Sequence, residues 1–340
     1  MLLLLAGLFF LGPLVNSTHR WYKIGQFLFQ PSEFAKIALA LWTAYWITSE
    51  HIKARAKMFL GGGGIVATLS LILLQPDFGA TIISLVIVCT ILFLWAIKFQ
   101  LGRMLIIWFV TTAVIVLFAA LSTWWLLVFS LVPLYFLLRE NWKVGLIAAT
   151  LGGVLVFGTI AVTATWNTPI IPSYVKNRIE SFLGTQEETF QIRQSKIAIG
   201  SGGLWGKGIS QGTQSRLRFL PEYTTDFIFS AFVEERGFAG MMLLLTLYLV
   251  LFGRLIFLAM QVKDEYARLI IIGLTVKIWF ETFVNLGMNM GVLPTKGVAL
   301  PFVSYGGSSL VANAIIIGII LSFYRYEAKR DTISPSITLA

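Results

Sequence analysis

Apolar runs of about 17–25 residues recur along most of the 340-residue chain, separated by short polar segments. Runs of that length suit α-helices that cross a hydrocarbon core, whereas a transmembrane barrel would show short alternating segments. The pattern predicts an all-α, polytopic membrane bundle in a single domain over 1–340. About ten spans are expected, near 2–15, 32–50, 58–74, 79–97, 101–119, 122–138, 143–164, 226–256, 267–289 and 304–324. The first run is short, since about fifteen residues scarcely cross a core of roughly 30 Å. It lacks the basic flank and small-residue cleavage site of a signal peptide. It reads as a chain that starts part-way into a helix, with N-terminal spans missing. No internal repeat is evident, which argues against a transporter built from inverted repeats.

Composition agrees with the periodicity. Hydrophobic residues make up 57% and charged residues 12%, against about 25% charged in a soluble domain. The net charge of +10 does not point to nucleic acid, because most basic residues fall in short loops between apolar runs. By the positive-inside rule, the loops 51–57, 98–103, 139–143 and 254–268 and the tail 325–340 face the cytoplasm. Alternation then places 16–31, 75–78, 165–225 and 290–303 outside, with 165–225 a large extracellular loop. The single cysteine, Cys89, lies in an apolar run and forms no intrachain disulfide.

Ionisable residues inside spans are costly and face a cavity or a partner. Pro31 opens a helix on which Glu33 and Lys36 lie three apart on one face. They read equally as a self-neutralising pair and as the lining of an outward cavity. Asp77, in the turn QPDFG, is read as an N-cap before a catalytic group. Lys277 and Glu281, four apart, are read as an ion pair within the bundle.

The run from Gln191 to Gly240 is the most informative. It passes from a polar, glycine-rich and basic segment into an apolar helix, with Asp226 at the junction. Thr224, Thr225 and Asp226 suit a helix N-terminus, so a capping role stays open. Glu222 lies four residues before, and Glu234 and Glu235 follow about two turns in. At 100° per residue Glu234 falls about 80° from Asp226 and Glu235 about 180° away, so Glu234 is the one that would share its cavity. The stretch GSGGLWGKG, 200–208, does not match the nucleotide-binding loop but suits close approach to a pyrophosphate. Between Trp166 and Asp226, seven Lys or Arg, among them Lys196, Lys207 and Arg216, face four Glu. That excess suits an anionic headgroup. The loop 16–30 mixes His19, Arg20, Trp21, Tyr22 and Lys23; its aromatics fit interfacial anchoring and Arg20 fits a phosphate. Neither histidine has a metal-ligand neighbour at useful spacing.

Four segments, in order, resemble the SEDS family (shape, elongation, division and sporulation proteins): RWYKIGQFLFQPSEFAK, QPDFGA, QSKIAIGSGGLWGKGISQGTQSRLRFLPEYTTDFIFSAFVEERGF and GVLPTKGVALPFVSYGGSS. The wording GTQS, FLPE and IAIGSGG is closer to RodA, the elongation member, than to FtsW, the division member. Thr224-Thr225-Asp226-Phe227 stands where HTDF is common, and Lys296 where a small residue is common.

The resemblance implies polymerisation of lipid II into glycan strands at the bacterial inner membrane, with the site facing outward. It maps the family's essential aspartate onto Asp226, its PSE-x-x-K pair onto Glu33 and Lys36, its Q-S-K-I glutamine onto Gln194 and its RW arginine onto Arg20. Lys196, Lys207 and Arg216 are expected to hold substrate, with Asp77, Glu222, Glu234 and Ser304 in support. No cofactor is certain, though a divalent cation (Mg or Mn) fits the leaving group. Expected partners are a class B penicillin-binding protein, other elongation-complex membrane proteins and membrane lipids. A lipid II flippase is the alternative; it would need a polar path through Glu33, Lys36, Lys277, Glu281 and Glu234. A non-enzymatic scaffold would leave the polar cavity unexplained.

Overall fold

In the computed structural model the chain divides into two compact units, Met1–Leu92 with Glu187–Ala340, and Phe93–Gln186. The structure describes residues 1–13, 20–25, 27–49, 61–75, 77–97, 190–217, 219–220, 222–293 and 297–333. The expected spans 101–119, 122–138 and 143–164, the loop as far as residue 189, and Lys296 lie outside the described residues.

The described elements are α1 (Leu2–Leu11), β1 (Tyr22–Ile24), β2 (Phe27–Phe29), α2 (Pro31–Thr48), α3 (Gly63–Leu74) and α4 (Phe78–Ile97). They continue with α5 (Phe190–Ser201), α6 (Thr213–Arg216), α7 (Ile228–Gln261), α8 (Glu265–Asn289) and α9 (Gly307–Ile333). Among them α7, α8 and the Gly307–Glu327 part of α9 are long and apolar enough to cross a membrane. Two departures from the expected pattern concern its polar stretches. The segment 16–31 contains a short antiparallel hairpin, with Tyr22 opposite Phe29 and Lys23 opposite Leu28. The expected loop 165–225 contains α5, whose Ile192, Ser195 and Ala198 are buried at helical spacing. Its polar and glycine-rich composition hides that face from a hydropathy reading.

Buried α8 is the centre of the described unit and packs against α2, α5, α7 and α9. Asp264 starts it, its carboxylate accepting from the Ala267 N–H at 2.8 Å. Nearer the chain start, Leu5, Ala35, Ile72 and Ala80 join α1, α2, α3 and α4 in one apolar cluster, and Leu39, Ile65 and Val88 form a second.

α7 is interrupted at Gly237, where φ is 67° and ψ is −168°. Backbone groups freed by the break are met by the glycine-rich segment after α5. The N–H groups of Lys207 and Gly208 donate to the carbonyls of Glu234 and Glu235 at 3.0 and 3.1 Å, and those of Phe238 and Ala239 donate to Gly203 and Leu204 at 2.9 and 3.0 Å. Unmet backbone groups in an apolar surround are costly, so this exchange is what permits the break. A Cβ at Gly237 would lie 2.3 Å from the Gly206 nitrogen and 2.6 Å from the Leu204 oxygen. Glu234, fully buried, adds a side-chain clasp. Its Oε1 accepts from Lys207 Nζ at 2.7 Å, from the Thr213 N–H and hydroxyl at 2.8 and 2.9 Å, and from the Gln214 N–H at 3.1 Å. Gly237→Ala should therefore lower the melting temperature of the purified protein in detergent, the positive φ alone costing about 1–3 kcal/mol. An unchanged melt would mean that the segment does not grip α7 in this way.

Candidate functional site

Asp226 lies, half-buried, in a turn over 222–227 that leads into α7. The turn is held from both sides. Glu222, at φ 53°, offers its carbonyl to the N–H groups of Thr225, Asp226 and Phe227 at 3.1–3.2 Å, and its carboxylate accepts from the Thr225 hydroxyl at 3.0 Å. Three successive carbonyls then accept from other elements. Thr224 accepts from the Tyr305 N–H at 2.9 Å, and Thr225 from the Ser304 hydroxyl at 2.6 Å. Asp226 accepts from Asn285 and Asn289 of α8 at 2.9 and 3.0 Å. Beside the carboxylate the wall is Gly297, at φ 62°, where an added Cβ would sit 3.4 Å from Asp226 Oδ2. A side chain at that position would crowd the carboxylate on that side.

One turn deeper, Glu33 and Lys36 of α2 meet Lys277 and Glu281 of α8. Lys36 Nζ lies 2.7 Å from Glu33 Oε1 and 2.6 Å from Glu281 Oε1; Lys277 Nζ lies 2.8 Å from Glu281 Oε2 and 3.6 Å from Glu33 Oε2. Asn313 of α9 accepts from Lys277 at 2.7 Å. The two expected pairs are one ring of two cations and two anions, neutral as a set, that ties α2, α8 and α9 together. Lys277, Glu281, Asn285 and Asn289 follow one another at intervals of four, so the ring and the Asp226 turn share one buried stripe of α8.

At the same end of the bundle Asp77 caps α4, its Oδ1 accepting from the Ala80 N–H at 3.1 Å. Its other oxygen accepts from Ser32 at 3.1 Å and Gln30 at 3.2 Å. The Gln30 N–H donates to Ser308 Oγ at 3.0 Å, and that hydroxyl donates to the Leu28 carbonyl at 2.9 Å. Arg20 Nε donates to the Gln75 carbonyl at 3.1 Å, placing the RW-motif arginine over this cap.

The remaining expected residues lie on α5, α6 and α7 and in the segment between α5 and α6. Gln194 is half-buried on α5 and Lys196 exposed, its Nζ 3.0 Å from where a Cβ of Gly291 would be. Arg216 is exposed at the end of α6. Lys207 donates to Ser201, Thr213 and Glu234 at 2.7–2.8 Å, so its three protons all have protein acceptors. Glu234, expected to share a cavity with Asp226, instead accepts from Lys207, Thr213 and Gln214. Asn285, Asn289 and Ser308 were not expected from the sequence; the four-residue spacing of polar side chains along apolar α8 is the signal that marks the two asparagines. An apolar cavity of about 270 Å³ lies between α4 and α8, lined in part by Gly79, Phe283, Leu293 and Val298. Among the described residues no three His, Cys, Asp or Glu side chains gather as they would to hold a metal ion.

The fold and site describe a multi-pass helical membrane protein with a carboxylate fixed at one end of its bundle. Residues 1–102 and 99–329 match the cell cycle protein family of FtsW, RodA and SpoVE. The peptidoglycan glycosyltransferase MrdB of Escherichia coli (strain K12) is 32% identical over 335 residues, 96% of this chain and 75% of that protein. The peptidoglycan glycosyltransferase RodA of Treponema pallidum (strain Nichols) is 32% identical over 351 residues, 92% of this chain and 78% of that protein. Similarity extends equally to the "Probable peptidoglycan glycosyltransferase FtsW" of Geobacter sp. (strain M18), 31% identical over 324 residues, 92% of this chain and 72% of that protein. Among solved structures, a chain of a peptidoglycan synthase complex superposes with a TM-score of 0.67 at 26% identity, over 96% of this chain and 79% of that one. The rod-shape-determining protein RodA of Thermus thermophilus superposes with a TM-score of 0.56 at 26% identity, over 96% and 75%. This chain belongs to the SEDS (FtsW/RodA) family and is a bacterial integral membrane protein.

Removing one member of the ionic ring leaves an uncompensated buried charge. Lys277→Met should cost about 3–5 kcal/mol of stability, and Lys277→Met with Glu281→Leu should recover most of it because neutrality returns. Melting curves of the two variants measure this; a double variant no more stable than Lys277→Met would overturn the neutrality argument.

Proposed function

We propose that this protein is a peptidoglycan glycosyltransferase that polymerises lipid II, with Asp226 as general base. The observation that carries the reading is the Asp226 turn, a half-buried carboxylate on non-helical backbone gripped by α8 and the 297–306 loop and faced by a glycine. A sugar 4-hydroxyl is a poor nucleophile, and a carboxylate within hydrogen-bond reach accelerates its attack by about 10²–10⁴-fold. The hydroxyl oxygen bonds to the anomeric carbon of the donor as the bond from that carbon to the pyrophosphate oxygen breaks. The hydroxyl proton passes to Asp226, and the electron pair leaves with the lipid pyrophosphate. An α-linked donor giving a β-linked glycan requires inversion, hence one base and no covalent enzyme intermediate.

The leaving group needs charge stabilisation more than a proton, which suits Arg20, Lys196 and Arg216 together with Gln194. Glu33 and Lys36 shape the floor through their ring with Lys277 and Glu281. Lys207 and Glu234 act at a distance by fixing the segment after α5 against α7. The apolar cavity between α4 and α8 is of a chemistry that accepts part of an isoprenoid tail, and Val298 on its wall is tied through Asn285 to the Asp226 carbonyl. Transport is the weaker reading, since the ring is closed and neutral and the relatives are named glycosyltransferases.

The finer assignment follows the motif wording: the elongation role, with the site outward at the inner membrane and a class B penicillin-binding protein as partner. The structural relative from a complex coordinating polymerization and crosslinking supports a partner of that kind. Asp226→Asn, near-isosteric, should lower lipid II polymerisation by the purified protein with its cognate transpeptidase by about 10²-fold or more, without lowering the melting temperature. A folded Asp226→Asn protein polymerising at the wild-type rate would return Asp226 to a structural role.

A further inference from the structure

We propose that Asn285 and Asn289 are positioning residues for Asp226, fixing both the main chain that bears the carboxylate and the wall it faces. The inference rests on Asp226 being the base. Both asparagines are fully buried, and the two protons of the Asn285 amide go to different segments. One is donated to the Asp226 carbonyl at 2.9 Å and the other to the Val298 carbonyl at 2.7 Å. Val298 follows Gly297, the residue beside Asp226 Oδ2. A single amide group therefore sets the separation between the carboxylate's backbone and the loop opposite it.

Asn289 fixes the same carbonyl from one helical turn further along. Its Nδ2 donates to the Asp226 carbonyl at 3.0 Å and to the Asn285 carbonyl at 2.8 Å. Its Oδ1 accepts from the N–H and hydroxyl of Ser230 at 3.2 and 2.6 Å, in the first turn of α7. Ser195 of α5 donates to the Asn289 carbonyl at 2.6 Å. The pair thus links α5, α7, α8 and the 297–306 loop at the residue from which the reacting carboxylate projects. Side chains that only satisfied a buried carbonyl would need one donor; here two converge on one oxygen, and their remaining groups reach the neighbouring walls.

Misplacing a reacting group by about 1 Å costs about 10²-fold in rate. The test compares wild type, Asn285→Leu, Asn285→Ser, Asp226→Asn and the double variant Asp226→Asn with Asn285→Leu. Each is purified with its transpeptidase, checked by melting, and assayed for lipid II polymerisation across substrate concentration. Expected for Asn285→Leu is a kcat lower by about 10–100-fold per folded molecule, with KM within about threefold. Asn285→Ser, which keeps one donor, should fall between it and wild type, and carries the test if Asn285→Leu does not fold. On the Asp226→Asn background the Asn285 change should have no further effect, because the group it positions is already gone. A folded Asn285 variant whose kcat stays within about twofold of wild type while Asp226→Asn is slow would overturn this inference alone. So would a full multiplicative loss in the double variant. Wild-type activity in Asp226→Asn would remove the base assignment and this inference with it.

Discussion

A polar side chain inside an apolar bundle must be paired with its neighbours, since leaving it unmet costs about 1–3 kcal/mol and more for a charge. α8 carries four such residues in succession, Lys277, Glu281, Asn285 and Asn289, each buried and each four positions after the last. Their needs dictate what packs around them. Lys277 and Glu281 draw in Glu33, Lys36 and Asn313, and so fix α2 and α9 against α8. Asn285 and Asn289 draw in the Asp226 carbonyl, the Val298 carbonyl and Ser230, and so fix the start of α7 and the loop before α9. The Asp226 turn sits where this stripe reaches the end of the bundle.

The same pairing demand explains the irregular backbone. Among the described residues, three of the stretches that leave helical geometry bear on the Asp226 turn and α7: the 222–227 turn itself, the break at Gly237 and the loop over 297–306. Each is met by groups from elsewhere in the chain. The Asp226 turn is held by the side chains of Ser304 and the two asparagines and by the Tyr305 N–H, besides its own Glu222. At Gly237 the backbone is met by backbone, with Glu234 and Lys207 adding a side-chain clasp. Helices alone would make an apolar bundle without chemistry. These exceptions place a carboxylate in a turn and hold it there at the expense of local backbone freedom.

Much of this was legible in the residues. Apolar runs placed α2, α4 and α8 within a few residues of their observed bounds, and the starts of α7 and α9 likewise. Both α7 and α9 run on past the expected 256 and 324, to Gln261 and Ile333. Pro31 and Asp77 marked element starts through rules that act within one turn. The 224–226 segment precedes α7 without capping it, since Phe227 takes the N-cap position and makes no side-chain cap bond. The Lys277–Glu281 spacing announced a pair, since residues four apart share a face. Other features left weaker marks. α5 carries its buried face in small and polar residues that hydropathy does not weigh, and a three-residue strand has no periodicity to detect.

What the sequence determined by itself is therefore local: which segments are apolar enough to become helices, where they begin, and which charged residues share a face. Its motifs also fixed the family. Only the tertiary structure decided how faces on different helices combine. It merged two expected ion pairs into one neutral ring, gave Glu234 to Lys207 and Thr213 rather than to Asp226's surroundings, and brought Asn285 and Asn289 onto the Asp226 carbonyl. The physical reason is that helical periodicity specifies direction within an element, whereas the partner in that direction belongs to another part of the chain. That partner is selected by the joint demand that buried polar groups be met together.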